Sequence, residues 1–160
     1  MVGEVTERSS REMAKGRYDH TMDAKGRVSI PMAFRPELDF AEGKAPVVTR
    51  LVDRLALGIF PAARWEEIEN RLEKMSTVQP KVQTVRRILM GHAVDCPIDS
   101  NGRISIPQAL RQVASLDREV SLLGTGNCIE LWDRAALNTA LDVPQNEAEA
   151  IASVAAEAGF

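Results

Sequence analysis

Only 4% of this 160-residue chain is aromatic, and it has just two cysteines and two histidines. The two tryptophans, Trp65 and Trp132, lie in apolar periodic contexts and read as core anchors, not as platforms for stacking bases. Cys96 and Cys128 do not make a disulfide framework. With no secretory signal in view, they read as reduced, half-buried strand residues of a cytosolic protein. His20 and His92 are far from any CxxC-type pair, which argues against zinc. No cofactor motif and no small-molecule effector site is evident. No apolar run approaches the length of a bilayer, so no membrane span is expected. An excess of positive charge is also missing: 20 Lys and Arg stand against 23 Asp and Glu, a formal net charge of −3. Averaged over the chain, that balance argues mildly against a nucleic-acid partner. Ser29 and Ser105 lie in expected strands without a nucleophile-elbow glycine pattern. No carboxylate pair or phosphate-cradling loop accompanies them, so an enzyme is not expected.

What the chain does have is one block written twice. Residues 23–31 read Asp-Ala-Lys-Gly-Arg-Val-Ser-Ile-Pro, and residues 99–107 read Asp-Ser-Asn-Gly-Arg-Ile-Ser-Ile-Pro. The correspondence runs on to Arg35 and Arg111. Such a repeat means one supersecondary unit used twice. Here it implies a pseudo-twofold molecule with two tight cationic loops, suited to an extended anionic partner. Lys25, Arg27 and Arg103 sit in those loops, whereas acidic residues crowd 63–75 and the stretch after Asp142. Basic loops on an acidic body keep a nucleic-acid reading open.

Residues 1–16 are polar and aperiodic and read as a flexible arm. Tyr18–Met22, the turn Asp23–Gly26 and Arg27–Ile30 read as a β-hairpin, with Gly26 supplying positive φ. Pro31 suits the first turn of a short helix limited by Pro36. Strands Pro46–Val52 and Leu55–Phe60 follow, then a helix from Pro61 with Trp65, Ile68, Leu72 and Met75 on one face. A second helix, Lys81–Met90, turns Arg86 and Arg87 outward and ends at Gly91. The order then repeats: a strand near Ala93–Ile98, the turn Asp99–Gly102, strand Arg103–Ile106 and a helix from Pro107. Strands Glu119–Leu123 and Cys128–Trp132 and a short helix Asp133–Leu141 complete the second unit. The expectation is an α+β fold, ββαββα twice, with units at 18–91 and 92–141 and an Ala/Glu-rich tail at 142–160. Each unit alone is short of core, so the two should interlock.

Two copies of Asp-x-x-Gly-Arg, each followed by an aliphatic-Ser-Ile-Pro, together with Leu57–Trp65, resemble the MraZ family of bacterial transcriptional regulators. The resemblance covers roughly Tyr18 to Leu141. It implies two AbrB-like swapped-hairpin units in one pseudo-twofold β-barrel, and ring-shaped homo-oligomers in the cytoplasm, associated with the nucleoid. It also implies binding to short tandem promoter repeats of double-stranded DNA, with repression of the division and cell-wall gene cluster. Its DNA contacts fall here on Lys25, Gly26 and Arg27 and on Asn101, Gly102 and Arg103, with Asp23 and Asp99 orienting the loops.

Chemically, Arg27 and Arg103 suit bidentate bonding to guanine or to phosphate, and a two-stranded ribbon fits the major groove. The plainer alternative is that each Arg pairs with the Asp four residues earlier and stiffens its loop. Both can hold at once. Lys25 suits a phosphate, and Asn101 a phosphate or an adenine edge, so the first loop should bind more electrostatically. Arg35 and Arg111 are open between DNA and an ion pair within the fold or between subunits, and Arg86 and Arg87 between phosphate, a subunit interface and a solvated helix face. Two rival functions are an AbrB-like antitoxin and a protein-interaction scaffold that never touches nucleic acid.

Overall fold

The computed structural model describes residues 14–38 and 43–160. Most of the arm, residues 1–13, lies outside them. Its end does not: β1 spans Lys15–Thr21, and Ala14 before it is buried with its carbonyl accepting from the Gly126 N–H. β2 (Arg27–Ser29) leads through a 3₁₀ turn (Met32–Phe34) into α1 (Arg35–Leu38). Pro36 therefore sits in the first turn of α1, where its missing N–H costs nothing. β3 (Val47–Arg50), β4 (Leu57–Phe60), α2 (Ala62–Lys74) and α3 (Pro80–His92) complete the first half. The second half runs β5 (Val94–Asp95), β6 (Arg103–Ser105), α4 (Gln108–Val113), β7 (Glu119–Thr125), β8 (Ile129–Asp133) and α5 (Arg134–Leu141). Asp133 caps α5 by accepting from the Ala136 N–H at 3.0 Å. The segment after Asp142 holds α6 (Gln145–Glu157), none of whose residues is buried.

The strands cross between halves. One antiparallel sheet of six strands has the order β1-β7-β8-β4-β3-β5. The first strand of each half thus pairs with the third strand of the other, β1 with β7 and β5 with β3. β4 and β8 meet at the centre, with Gly58 opposite Glu130. β2 and β6 form a separate two-stranded ladder centred on Val28 opposite Ile104. These registers are those of two like units about a twofold axis. The strands flanking the first loop consequently do not form the local hairpin expected from the sequence. Nor do the described strands close into a barrel: β1 and β5 remain the edges of an open sheet. The three-residue strands β2 and β6 pair with each other across the axis and do not join the larger sheet.

Both faces of the sheet are covered, which is why β4 reads as a continuous apolar run. Leu57 and Ile59 of β4 and Ile129 and Leu131 of β8 pack toward Val28, Ile104, Phe34 and Leu110. Alternate residues, Phe60 and Trp132, pack with Trp65 and Leu137 on the other side. Both tryptophans are core residues. Met75, expected on the inner face of α2, lies past its last turn and is half exposed. The loop-bearing ladder and the long helices therefore occupy opposite faces of the sheet.

Candidate nucleic-acid interface

Each repeated loop is built around one carboxylate. In the first, Asp23 Oδ1 accepts the backbone N–H groups of Lys25 and Arg27, both at 2.9 Å, and Oδ2 accepts Arg27 Nε at 2.6 Å. In the second, Asp99 Oδ1 accepts from Asn101 at 2.8 Å and Arg103 at 3.0 Å, and Oδ2 from Arg103 Nε at 3.1 Å. The turn closes identically, with Gly26 N–H donating to Asp23 O and Gly102 N–H to Asp99 O, each at 3.0 Å. Both carboxylates are held below the ordinary Asp pKa, chiefly by the backbone N–H of Arg27 and of Arg103 respectively. Asp therefore fits this position because it serves two donors of the turn and one of the guanidinium at once.

Gly26 and Gly102 stand at φ +78° and +76°, the left-handed region. Their carbonyls accept from the N–H of Ile106 and Ile30, both at 2.8 Å, so each loop is tied to the strand of the other repeat.

The two arginines thus do pair with their own aspartates, but only through Nε. Among the described residues, no hydrogen bond engages their terminal nitrogens. A guanidinium fixed along one edge and open along the other is preorganised for a second, bidentate partner. Lys25 and Asn101 are exposed at the two tips. These residues form two matched cationic tips on one side of the sheet, joined by the β2–β6 ladder.

Arg35 and Arg111 fall beside these tips, each against the loop of the other repeat. The guanidinium of Arg35 fills the space that a Cβ on Gly102 would need, and that of Arg111 does the same at Gly26. Neither forms an ion pair among the described residues. Arg86 and Arg87 are not brought to the loops. They lie on α3, which is held to β3 by Thr49 Oγ1 donating to Leu89 O at 2.6 Å, on the opposite face of the sheet. Arg118 was not anticipated. Its carbonyl accepts the Met22 N–H at 2.7 Å, and the residue lines a groove beside the first loop. No sequence signal marks it, because the pairing of β1 with β7 alone brings it there.

Elsewhere, Cys96 is buried and Cys128 half-buried, and both are free. Burial first of all pushes the thiols up to about 11 and about 12, so both stay protonated near neutrality. Among the described residues, no cluster of three His, Cys, Asp or Glu is placed to hold a metal ion, and no helix is long and apolar enough to cross a membrane.

A family model described as "MraZ protein, putative antitoxin-like" matches the chain twice, over residues 13–88 and 89–155. The chain is 40% identical over 130 residues to the transcriptional regulator MraZ of Shewanella frigidimarina (strain NCIMB 400), covering 81% of this chain and 86% of that protein. It is 41% identical over 140 residues to the transcriptional regulator MraZ of Shewanella amazonensis, covering 84% and 91%. A third relative, the transcriptional regulator MraZ of Methylococcus capsulatus, is 41% identical over 122 residues, 76% of this chain and 79% of that protein.

Proposed function

This chain belongs to the MraZ family, and from that premise we infer that it is a transcriptional regulator that binds double-stranded DNA through its two Asp-x-x-Gly-Arg loops. The observation that carries the reading is the matched state of Arg27 and Arg103. Each is held by its aspartate through Nε, with terminal nitrogens left to face a partner. The two-stranded ladder between them packs on the core through Val28 and Ile104 and spaces the two loop tips. Those tips suit the major groove, where guanidinium groups read guanine and the exposed Lys25 and Asn101 meet phosphate or base edges.

The finer assignments follow from the family and belong to the same proposal. The crossed pairing of β1 with β7 and β5 with β3 supports an AbrB-like swapped-hairpin unit used twice. The protein represses the division and cell-wall gene cluster by occupying tandem promoter boxes, in the cytoplasm and at the nucleoid. Two loops on one protomer supply few contacts, and the net charge of −3 adds none. A ring of protomers on repeated boxes converts these contacts into avidity, since later contacts form at high effective concentration.

The test is charge reversal. An Arg27→Glu, Arg103→Glu double variant should keep its fold and its assembly state by circular dichroism and sedimentation, and should lose binding to its own upstream DNA. Unchanged DNA binding by that variant would remove the loops as the reader. Absence of binding by wild type would leave a protein-interaction scaffold.

A further inference from the structure

We infer that Arg111, a residue of the second repeat, belongs to the DNA site of the first loop and takes a phosphodiester oxygen there. The inference rests on the loops being the DNA reader, as proposed above.

Its basis is a difference between two otherwise matched arginines. Arg111 Nε and Cζ lie 2.8 and 2.9 Å from where a Cβ on Gly26 would stand, with the Ile106 carbonyl oxygen 2.8 Å from the same point. Arg35 occupies the corresponding place over Gly102. Arg35 is committed, since its Nε donates to Ile30 O at 3.1 Å. Arg111 is not: its Nε is buried and has no acceptor among the described residues. Arg64 Nε and Arg134 Nε are buried and open too, but those guanidiniums are held through their terminal nitrogens. Among the described residues the Arg111 side chain has no hydrogen bond or ion pair at all, which leaves its terminal nitrogens for an acceptor that arrives with a ligand.

The surroundings say what kind of acceptor. Arg111 lines an open groove of about 550 Å³ together with Thr21, Asp23, Ala24, Asp117 and Arg118. The Asp23 carboxylate already receives three donors from its own loop and does not pair with Arg111. Asp117 also fails to form an ion pair among the described residues. A partly buried guanidinium with no counter-charge, next to Lys25 and Arg27, suits a single phosphate oxygen better than a base edge. The second loop lacks this contact, because Arg35 is tied and Asn101 replaces Lys25. The two halves of the molecule are therefore unequal, and the first is the stronger electrostatic anchor.

The experiment uses the full chain and a duplex from its own upstream region. Affinity is measured across a salt series, and again with single methylphosphonates that neutralise one phosphate at a time. Arg111→Gln should reduce the slope of log affinity against log salt by about 0.9, the value of one lost phosphate contact. It should also become indifferent to one methylphosphonate that weakens wild type, and Arg111→Lys should restore the slope. Weaker binding with an unchanged slope and unchanged methylphosphonate pattern would overturn the inference, leaving Arg111 a brace for Gly26. So would undiminished binding. If the Gln variant does not fold, Arg111→Met, which keeps bulk over Gly26 without the charge, takes its place: a slope lowered by about 0.9 with indifference to that methylphosphonate supports the contact, and a wild-type slope and pattern oppose it. Failure of wild type to bind at low salt would be seen before any variant, and would take down the reading of the loops itself.

Discussion

Val28 and Ile104 face each other at the centre of the β2–β6 ladder, 1% and 0% exposed. Each lies one residue past the Arg of its loop, so the apolar contact on the axis sets the spacing of the two cationic tips. Truncating Ile104 to Ala would remove buried methyl and methylene groups at a site hemmed in on both sides. Chemical denaturation should show a loss of about 2–5 kcal/mol. A folded Ile104→Ala fraction should bind DNA more weakly through both loops together.

Gly26 needs both its positive φ and its missing side chain. A Cβ there would meet the Ile106 carbonyl oxygen at 2.8 Å, which is backbone and cannot swing away. Gly26→Ala should therefore cost about 1–2 kcal/mol in thermal unfolding from backbone conformation alone, and should displace Arg111. The check is a comparison with Gly91→Ala, where nothing lies within 4 Å of the new Cβ. That substitution in α3 should be neutral to stabilising.

The loops should fail in acid. Asp23 and Asp99 have folded pKa values depressed below the ordinary 3.8. Their contribution is therefore fully present above that value and is lost as pH falls through the lower folded one. Amide resonances of Lys25, Arg27, Asn101 and Arg103 should hold steady from neutrality to about pH 5, then move together below 3.8. Movement already complete near pH 5 would contradict the depressed values.

Glu130 is the one buried acid of the central strands, 2% exposed, and its charge is answered by Trp132 Nε1 at 2.9 Å and by Arg54. Removing Arg54 would strand it. Arg54→Ala should destabilise the fold by about 1–3 kcal/mol, with a shift in Trp132 emission reporting the change. Glu130→Gln in the Arg54→Ala background should recover part of that loss, because a neutral amide costs less to bury than an unpaired carboxylate.

How much of this was legible in the sequence depended on distance along the chain. The Asp-x-x-Gly-Arg turns close within five residues, so Asp23 with Arg27, Asp99 with Arg103 and the role of the glycines could be read directly. The strands β3, β4, β7 and β8 carried their own apolar signal. The partners of those strands did not. β1 pairs with β7, about a hundred residues away, and the Tyr18–Ile30 segment read as a local hairpin for want of any sign of that exchange. Arg35 and Arg111 repeat in the sequence, but their placement against the opposite repeat's glycine depends on packing across the axis. Arg118 enters the site through the same exchange.

Joint reading of DNA by the two loops is decided by the binding of wild type and of the Arg27→Ala, Arg103→Ala double variant to the upstream region of the protein's own gene across a salt series. Wild type should show salt-sensitive, repeat-dependent binding that is lost in a double variant that still folds and assembles. Retention of that binding by the double variant, or no binding by well-folded wild type at low salt, would contradict it.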